Sequence, residues 1–381
     1  MKKVACFGKK LETFYSSSCN KLSCFNQSCR GLIWSFYRFV VFHLNPFCIQ
    51  LSYFIIVSLA GYLALKISKP RTTWFRPEDF DVFFTSVSAT TVSSMSTIEM
   101  EVFSNTQLII MTILMFVGGE VFTSLLGLQF ASSNFHKNDP NYTDSDNQIE
   151  LVGLEIEKPE TNIENEINST TLKYSSIKCL SYVVLGYLFV VHLLGSSLVL
   201  WYVSYVPSAR QVLKNKGLEI HTFSVFTIVS TFTNCGFIPT NENMMVFKEN
   251  SGLLLLLIPQ ILMGNTLYPP CLLFVIWVLK KITKREEFRY ILMNYGDMGY
   301  SHLFSGLHAL LLAMTVFGFI LIQVILFCTM EWDSQVMEGL NSYQKLVGSF
   351  FQTVNSRHTG ESVFDLSSIS AAILVLFVIM M

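Results

Sequence analysis

Three short stretches decide the fold of this chain: TVSSM at residues 91–95, TNCGF at residues 233–237 and RHTGE at residues 357–361. Each follows a short, mainly apolar segment and lies between two longer apolar runs. Hydrocarbon cannot satisfy the backbone polar groups of a turn, so a polar turn between membrane spans must lie beside water or inside protein. Three such turns in register predict one shared, water-lined pathway.

The composition indicates a protein that crosses a membrane several times. Of the 381 residues, 51% are hydrophobic and only 14% are charged, whereas about 25% of the residues in a soluble domain are charged. The mean hydropathy is +0.46. A net charge of −1 gives no basic surplus that would indicate a nucleic-acid partner. Because the chain lacks a phosphate-binding loop, an HExxH motif and a GxSxG motif, neither enzymatic activity nor a cofactor is predicted.

The apolar runs predict an all-α integral membrane protein of repeated membrane–pore-loop–membrane units. A span needs about 20 residues, and runs of about this size cover residues 47–65, 108–130, 180–206, 253–279 and 303–330. Residues 83–92, 223–232 and 346–354 form segments too short to span, which are predicted to re-enter the membrane before each turn. The last apolar run has 16 residues, 366–381, so the third unit is expected to be truncated.

Polar stretches divide the chain into six predicted segments. These are an N-terminal segment 1–37, a first unit 38–130, a flexible polar linker 131–176, a second unit 177–282, a linker 283–301 and a third unit 302–381. If every unit leaves the membrane on the side where it entered, the N-terminus and both linkers share one side. Their excess of lysine and arginine predicts that this side is cytoplasmic.

The turns have the chemistry of a cation pathway. Backbone carbonyls can replace the hydration shell of an ion, and the negative C-terminal ends of the short helices favour a cation. Glycine suits such turns because it adopts positive φ without strain. Five positions after the central Ser or Gly, each repeat has a polar side chain, Glu99, Asn241 or Asp365, which is predicted to lie at the pore mouth. One such turn alone would be read as an ordinary membrane loop, but three matched turns favour a pore.

Four polar side chains inside the apolar runs also require an explanation. An intramembrane carboxylate is costly, so Glu120 is predicted either to bond another helix or to lie near the pathway. His192 and Gln323 are predicted to form inter-helix hydrogen bonds. Asn265 is predicted to serve helix packing or a local break.

Arg357 is the one cation within the three turns. We expect it to pair with Glu361 or Asp365 as a structural clamp, because an unpaired cation would repel the transported ion. The alternative is that it limits ion occupancy.

The sequence around the turns resembles the pore loops of plant high-affinity potassium transporters, the HKT branch of the Trk/Ktr/HKT superfamily. Residues 91–105 resemble the first loop, 233–244 the second and 355–361 the third. The resemblance implies four membrane–pore–membrane units around a pseudo-fourfold pore, with three units present here. It also implies a plasma-membrane location and dimers.

In this family each pore loop has one key filter residue, normally glycine, and members with serine in the first loop resemble the sodium-selective subclass. The matching filter residues are Ser94, Gly236 and Gly360, and the residues that flank them are Val92, Ser93, Asn234, Cys235, His358 and Thr359. The resemblance thus implies passive Na+ transport, with no metal beyond the transported Na+ or K+. Two alternatives stay open: a mixed K+/Na+ transporter of the same fold, and a truncated, non-conducting subunit that regulates full-length partners.

Overall fold

A computed structural model of the chain describes residues 46–71, 77–138 and 160–380. These residues contain thirteen α-helices, several short 3-10 helices and no strand, which confirms the predicted all-α class. The predicted N-terminal segment 1–37 and the middle of the predicted linker 131–176 lie outside the described residues. The chain divides into two compact units, Met1–Ile56 and Val57–Met381. The described part of the first unit is the N-terminal half of helix α1.

Four helices precede or follow the first turn. They are α1 (Pro46–Ile67), α2 (Asp79–Thr90), α3 (Asn105–Gly118) and α4 (Glu120–Asn138). Helix α2 has only 12 residues and begins with two aspartates, whose charges favour the positive N-terminal end of a helix. Helix α3 begins at a complete capping box formed by Ser104 and Gln107. Charge at the start of α2 and the capping box of α3 therefore favour these two helix starts.

The second turn lies among five helices. They are α5 (Glu160–Tyr205), α6 (Pro207–Asn215), α7 (Ile220–Thr233), α8 (Ser251–Gly264) and α9 (Tyr268–Thr283). Ten of the 14 residues of α7 are buried, and α7 packs against α3, α5 and α8. Helix α7 is therefore enclosed by protein on most of its surface, although its composition is apolar enough for lipid.

The remaining helices belong to the third turn and the connection before it. They are α10 (Glu286–Met293), α11 (Gly306–Glu331), α12 (Ser342–Arg357) and α13 (Ala371–Met380). Helix α12 packs against α8 and α11. Because α12 and α7 both pack against α8, the helices before the second and third turns share one neighbour.

Within the described part of the chain, three helices are each long and apolar enough to cross a membrane: Phe47–Ile67, Thr171–Tyr205 and Gly306–Glu331. Two bent pairs qualify only when their members are combined: Asn105–Gly118 with Glu120–Phe130, and Ser251–Gly264 with Tyr268–Thr283. The protein is thus a multi-pass membrane protein. The predicted span 108–130 is bent by 51°, which the sequence did not indicate, and the predicted span 253–279 is bent by 84° at the place where a local break was one of the alternatives predicted for Asn265.

Each bend has a cause that recurs in the first and second repeats. An added Cβ at Gly118 would lie 1.8 Å from the Thr90 carbonyl oxygen, at the end of α2. An added Cβ at Gly264 would lie 1.9 Å from the Phe232 carbonyl oxygen, near the end of α7. Two prolines at the start of α9 also lack the N–H groups that would continue α8. In both repeats a glycine thus lets the broken span approach the end of the short helix.

Helices also extend into both ends of the segment predicted as a flexible polar linker. Helix α4 continues to Asn138, and α5 begins at Glu160. Helix α5 has 46 residues, more than twice the length of about 20 residues that a bilayer requires.

Candidate functional site

The three turns follow the three short helices α2, α7 and α12, and each turn contains a left-handed residue. The φ angle is 56° at Ser94, 79° at Gly236 and 76° at Gly360. All three are the predicted filter residues. Glycine adopts this conformation freely, whereas a residue with a Cβ loses roughly 1–2 kcal/mol. The first turn therefore carries strain that the other two avoid.

A second left-handed residue lies two positions earlier in the first and second turns. It is Val92 with φ 57° in the first turn and Asn234 with φ 59° in the second. Asparagine tolerates this region, but a β-branched residue rarely occupies it. In the third turn the matching His358 has φ −110° and ψ −87°. The first two turns thus share a backbone path from which the third departs.

The second turn lies between the other two. An added Cβ at Gly236 would be 1.9 Å from the Thr359 carbonyl oxygen and 3.6 Å from Ser94 Cβ. An added Cβ at Gly360 would meet no heavy atom within 4 Å. The second turn thus lies close to Ser94 of the first turn and to Thr359 of the third, and of the three predicted filter positions only Gly236 is required to be glycine by both φ and space.

The flanking residues mainly hold the turns onto their own helices. Ser88 of α2 accepts from Met95 N–H at 2.8 Å and lies 3.0 Å from Ser93 Oγ. The Asn234 side chain donates to the Phe232 carbonyl at 3.2 Å. The Thr359 hydroxyl hydrogen-bonds to the Asn355 side chain. Hydroxyl and amide groups therefore fix each turn to the helix that precedes it.

His358 links the third turn to the second broken span. Its Nδ1 lies 2.9 Å from the Val354 carbonyl oxygen, one helical turn earlier. Its Nε2 lies 3.2 Å from Thr266 Oγ1, in the break between α8 and α9. Asn265 occupies the same break, which confirms the expectation of a local break at that residue.

Two of the three predicted pore-mouth residues meet. Asn241 Nδ2 donates to Glu99 Oε2 at 2.8 Å, although these residues belong to different repeats. Glu101 joins them, because its backbone N–H donates to Asn241 Oδ1 and its carboxylate accepts from Asn241 N–H, both at 3.2 Å. Asp365 instead accepts from the N–H of Ser367 at 3.0 Å, within its own loop.

The sequence did not identify Lys216, which joins this cluster from the connection between α6 and α7. Its Nζ lies 2.6 Å from Glu101 Oε1 and 2.5 Å from Glu242 Oε2. The hydrogen bond from Lys216 lowers the pKa of Glu242. Partial burial opposes the charge on Lys216, but the hydrogen bonds that its amine donates to Glu101 and Glu242 raise the pKa of the amine overall. Lys216 thus forms a charged tie between the loops after the first and second turns.

The predicted clamp at Arg357 is wrong. Arg357 is exposed, and its Nη1 donates to the Met380 carbonyl oxygen at 3.2 Å. Glu361 is completely buried and accepts from the Thr231 hydroxyl at 2.7 Å. A guanidinium at the surface cannot follow a carboxylate into the protein without losing its hydration, so the adjacent residues bond elsewhere.

The polar residues within the apolar runs have mixed outcomes. Gln323 of α11 donates to Ser356 of α12 at 2.7 Å, which confirms its predicted inter-helix bond. His192 does not make the predicted inter-helix bond, since its Nδ1 lies 2.7 Å from the carbonyl oxygen of Leu188 in the same helix. Its ring packs on Phe232 with centroids 4.6 Å apart. A buried ring between aromatic neighbours has no polar partner on another helix to reach.

Glu120 begins α4 just after the break, so it does not lie in the middle of a continuous helix. Its side chain is 70% exposed, and its Oε1 lies 3.6 Å from His302 Nε2. Glu120 was expected to need a partner because a carboxylate in the middle of a span would be buried. The break leaves its side chain exposed instead. Its partner lies in the turn before α11 and not on another helix, so the predicted inter-helix bond is not formed. The other predicted alternative, a place near the pathway, stays a prediction.

Comparisons with known proteins agree with the fold. The TrkH family, described as a cation transport protein, matches residues 161–381. Sodium transporter HKT1 of Arabidopsis thaliana is 56% identical over 84% of this chain and 63% of its own length. Cation transporter HKT1;3 of Oryza sativa subsp. japonica is 45% identical over 98% of this chain and 72% of its own length. Cation transporter HKT2;4 of the same plant is 43% identical over 90% of this chain and 68% of its own length.

The chain spans between 63% and 72% of the length of these relatives. The matched region includes all three turns, since the match to the rice HKT1;3 protein extends over nearly the whole chain. These relatives and their family are named for transport, and none is named as an enzyme. The chain belongs to the plant HKT branch of the TrkH family of cation transport proteins.

Proposed function

We propose that the chain carries Na+ passively across the plasma membrane, through a pathway lined by the three turns. Ser94, Gly236 and Gly360 are the proposed filter residues. The observation that supports the proposal is that a Cβ added at Gly236 would lie 1.9 Å from the Thr359 carbonyl oxygen and 3.6 Å from Ser94 Cβ, so the second turn lies close to both of the other turns. The sodium and cation transport named for the relatives supports a monovalent cation as cargo.

In this proposal each unit consists of a span, a re-entrant short helix with its turn, and a second span. The units are 38–130, 177–282 and 302–381, arranged as parts of a pseudo-fourfold pore. The N-terminal segment and the linkers 131–176 and 283–301 face the cytoplasm, and the protein forms homodimers in the lipid bilayer. The short length of α2, α7 and α12 supports re-entry, because 12, 14 and 16 residues are fewer than a span requires.

The proposed mechanism uses backbone oxygen atoms and the ends of the short helices. Helices α2, α7 and α12 end at the turns, so their partial negative charges favour a cation there. Val92, Ser93, Asn234, Cys235, His358 and Thr359 flank the filter residues and fix the directions of the carbonyls. Little movement is needed during passage, because the hydrogen bonds behind the turns are already made.

Ser94 is the proposed source of sodium preference. Its Cβ restricts the backbone more than glycine does, and its hydroxyl adds a hard oxygen near the pathway. The side chain is exposed rather than packed into the protein, which is consistent with a role toward the ion. Tighter coordination by hard oxygen atoms favours the smaller ion.

The proposed outer mouth contains Glu99, Asn241 and Asp365. The carboxylates raise the local concentration of cations, and Lys216 limits the negative charge by pairing with Glu101 and Glu242. The mouth thus attracts cations without an unopposed cluster of carboxylates.

The decisive experiment is voltage clamp of cells that express this chain, with external Na+ and K+ exchanged in turn. We expect the reversal potential of the unmodified chain to follow Na+, and Ser94→Gly to raise relative K+ permeability by about tenfold, equivalent to roughly 1.4 kcal/mol. Ser96→Gly, a serine outside the turn, is the matched control.

Three other outcomes would contradict parts of the proposal. A Na+:K+ ratio that Ser94→Gly leaves unchanged removes Ser94 from the filter. A wild-type reversal potential that follows both ions favours the mixed K+/Na+ transporter. Surface protein without current, combined with suppression of a co-expressed full-length relative, favours the regulatory subunit.

A further inference from the structure

Glu361 occupies an unusual position directly after Gly360. Its side chain is completely buried, although the preceding glycine is exposed. One carboxyl oxygen accepts from the Thr231 hydroxyl at 2.7 Å. The other, Oε2, is buried and has no hydrogen-bond partner among the described residues. A buried carboxyl with an unused oxygen costs free energy, so the one bond that it makes largely determines where it can lie.

Thr231 belongs to the element that leads into the second turn. It lies in the last turn of α7, five residues before Gly236, and is itself completely buried. The bond between Glu361 and Thr231 therefore joins the residue just after the third filter position to the helix just before the second. It spans 130 positions of sequence.

A second contact lies on the other side of Gly360. The carbonyl oxygen of Thr359 packs against Gly236 so closely that an added Cβ there would be 1.9 Å away. The third turn is thus fixed to the second repeat at both neighbours of Gly360, by backbone packing at Thr359 and by a hydrogen bond at Glu361. Gly360 itself has open space around its Cα.

We propose that Glu361 is a positioning residue for ion selectivity, which acts through its hydrogen bond to Thr231. The bond holds the third turn against α7 and sets the spacing between the backbone oxygens near Gly236 and Gly360. Because selectivity depends on the size and ligand field of the coordination cage, a change in this spacing alters the Na+:K+ ratio. This inference rests on the proposed function of the turns.

Helix α7 provides a matched control for the test. Thr227 lies one helical turn before Thr231 and is also completely buried. Its hydroxyl has no hydrogen-bond partner among the described residues. Thr227→Val and Thr231→Val therefore make the same chemical change on the same helix, but only the second removes the partner of Glu361. Thr231→Ser and Glu361→Gln retain a donor and an acceptor for the bond.

The experiment measures the Na+:K+ permeability ratio by voltage clamp and the Na+-dependent rise in Tm of the purified protein. We expect Thr231→Val to change the permeability ratio by about fivefold, the effect of one buried hydrogen bond. Thr227→Val, Thr231→Ser and Glu361→Gln are expected to stay within about twofold of the unmodified chain, the scatter typical of such effects.

The possible results separate the inference from the proposed function. Equal ratios for Thr231→Val and Thr227→Val, with wild-type current present, overturn the positioning role. A lower Tm for Thr231→Val with an unchanged ratio also overturns it, because the bond would then serve stability alone. An unmodified chain that neither conducts nor gains Tm from Na+ overturns the proposed function, and the positioning role with it.

Discussion

The first and second turns follow one backbone path in two different environments. Both have left-handed residues at the filter position and two positions earlier. The first turn is largely exposed, whereas Cys235, Gly236 and Phe237 of the second are buried. In the buried second turn the Thr359 carbonyl packs against Gly236, which leaves no space for a Cβ. The same path therefore accepts serine where it faces outward and requires glycine where another turn packs on it.

The strongest way to test this comparison is to add one methyl group at each glycine. Gly236→Ala introduces both left-handed strain and a clash with a backbone carbonyl, so we expect Na+ current to fall by about tenfold or more. Gly360→Ala adds only the strain of about 1 kcal/mol and is expected to reduce current far less. Voltage clamp, normalised to surface protein, measures both. Equal losses would contradict the packing of Gly236 between the other turns.

The next prediction concerns the charged tie that joins the loops beyond these turns. Lys216→Met leaves Glu101 and Glu242 unpaired and makes the mouth more negative, so Na+ current at low ionic strength is expected to rise by about twofold. The increase should fade in high salt, since exposed charges are screened. The control Lys214→Met removes an exposed lysine two residues earlier. An equal rise in Na+ current for Lys214→Met would contradict a specific role of Lys216 and would indicate an effect of surface charge in general.

The pH dependence of the tie follows from the two pKa shifts. Glu242 has a lowered pKa in the folded protein, so its contribution to stability is present above the unfolded value of about 4.3 and is lost as pH falls through the folded value. Lys216 has a raised pKa, so its contribution is complete below about 10.4 and is lost as pH rises through the folded value. We expect the difference in Tm between the unmodified chain and Lys216→Met to stay constant from about pH 6 to 9 and to shrink under stronger acid. A Tm difference that changes between about pH 6 and 9 would contradict the pairing of Lys216 with Glu242.

The smallest effect is predicted for an exchange of Val92 and Asn234, the left-handed residues that precede the filter positions of the first and second turns by two positions. Val92→Asn gives the first turn the residue of the second and should stabilise the protein by about 1 kcal/mol, because asparagine tolerates positive φ better than valine. Val92→Thr, which stays β-branched, should give no gain. Asn234→Val should destabilise, since it adds strain and removes the bond to the Phe232 carbonyl. Thermal unfolding in detergent measures all three changes.

Much of the candidate site was accessible from the sequence because its signals are local. The spacing of short apolar segments and small-residue turns predicted three short segments that correspond to α2, α7 and α12, each followed by a turn. The break after Gly118 was missed, and the break after Gly264 was predicted only as one of two alternatives for Asn265, although both glycines lie in conspicuous small-residue stretches. The reason is that each glycine is needed for contact with a carbonyl of a different helix, and hydropathy does not record such contacts.

The sequence by itself determined the all-α membrane class and the three short apolar segments with the turns that follow them, because hydrocarbon imposes length and polarity on every segment that enters it. Only the tertiary structure decided the partners. It paired Asn241 with Glu99, assigned Lys216 to Glu101 and Glu242, and directed Glu361 to Thr231 rather than to Arg357. These pairs join residues that are more than 20 positions apart along the chain. Their distances depend on how helices pack, and no local pattern of residues specifies that packing.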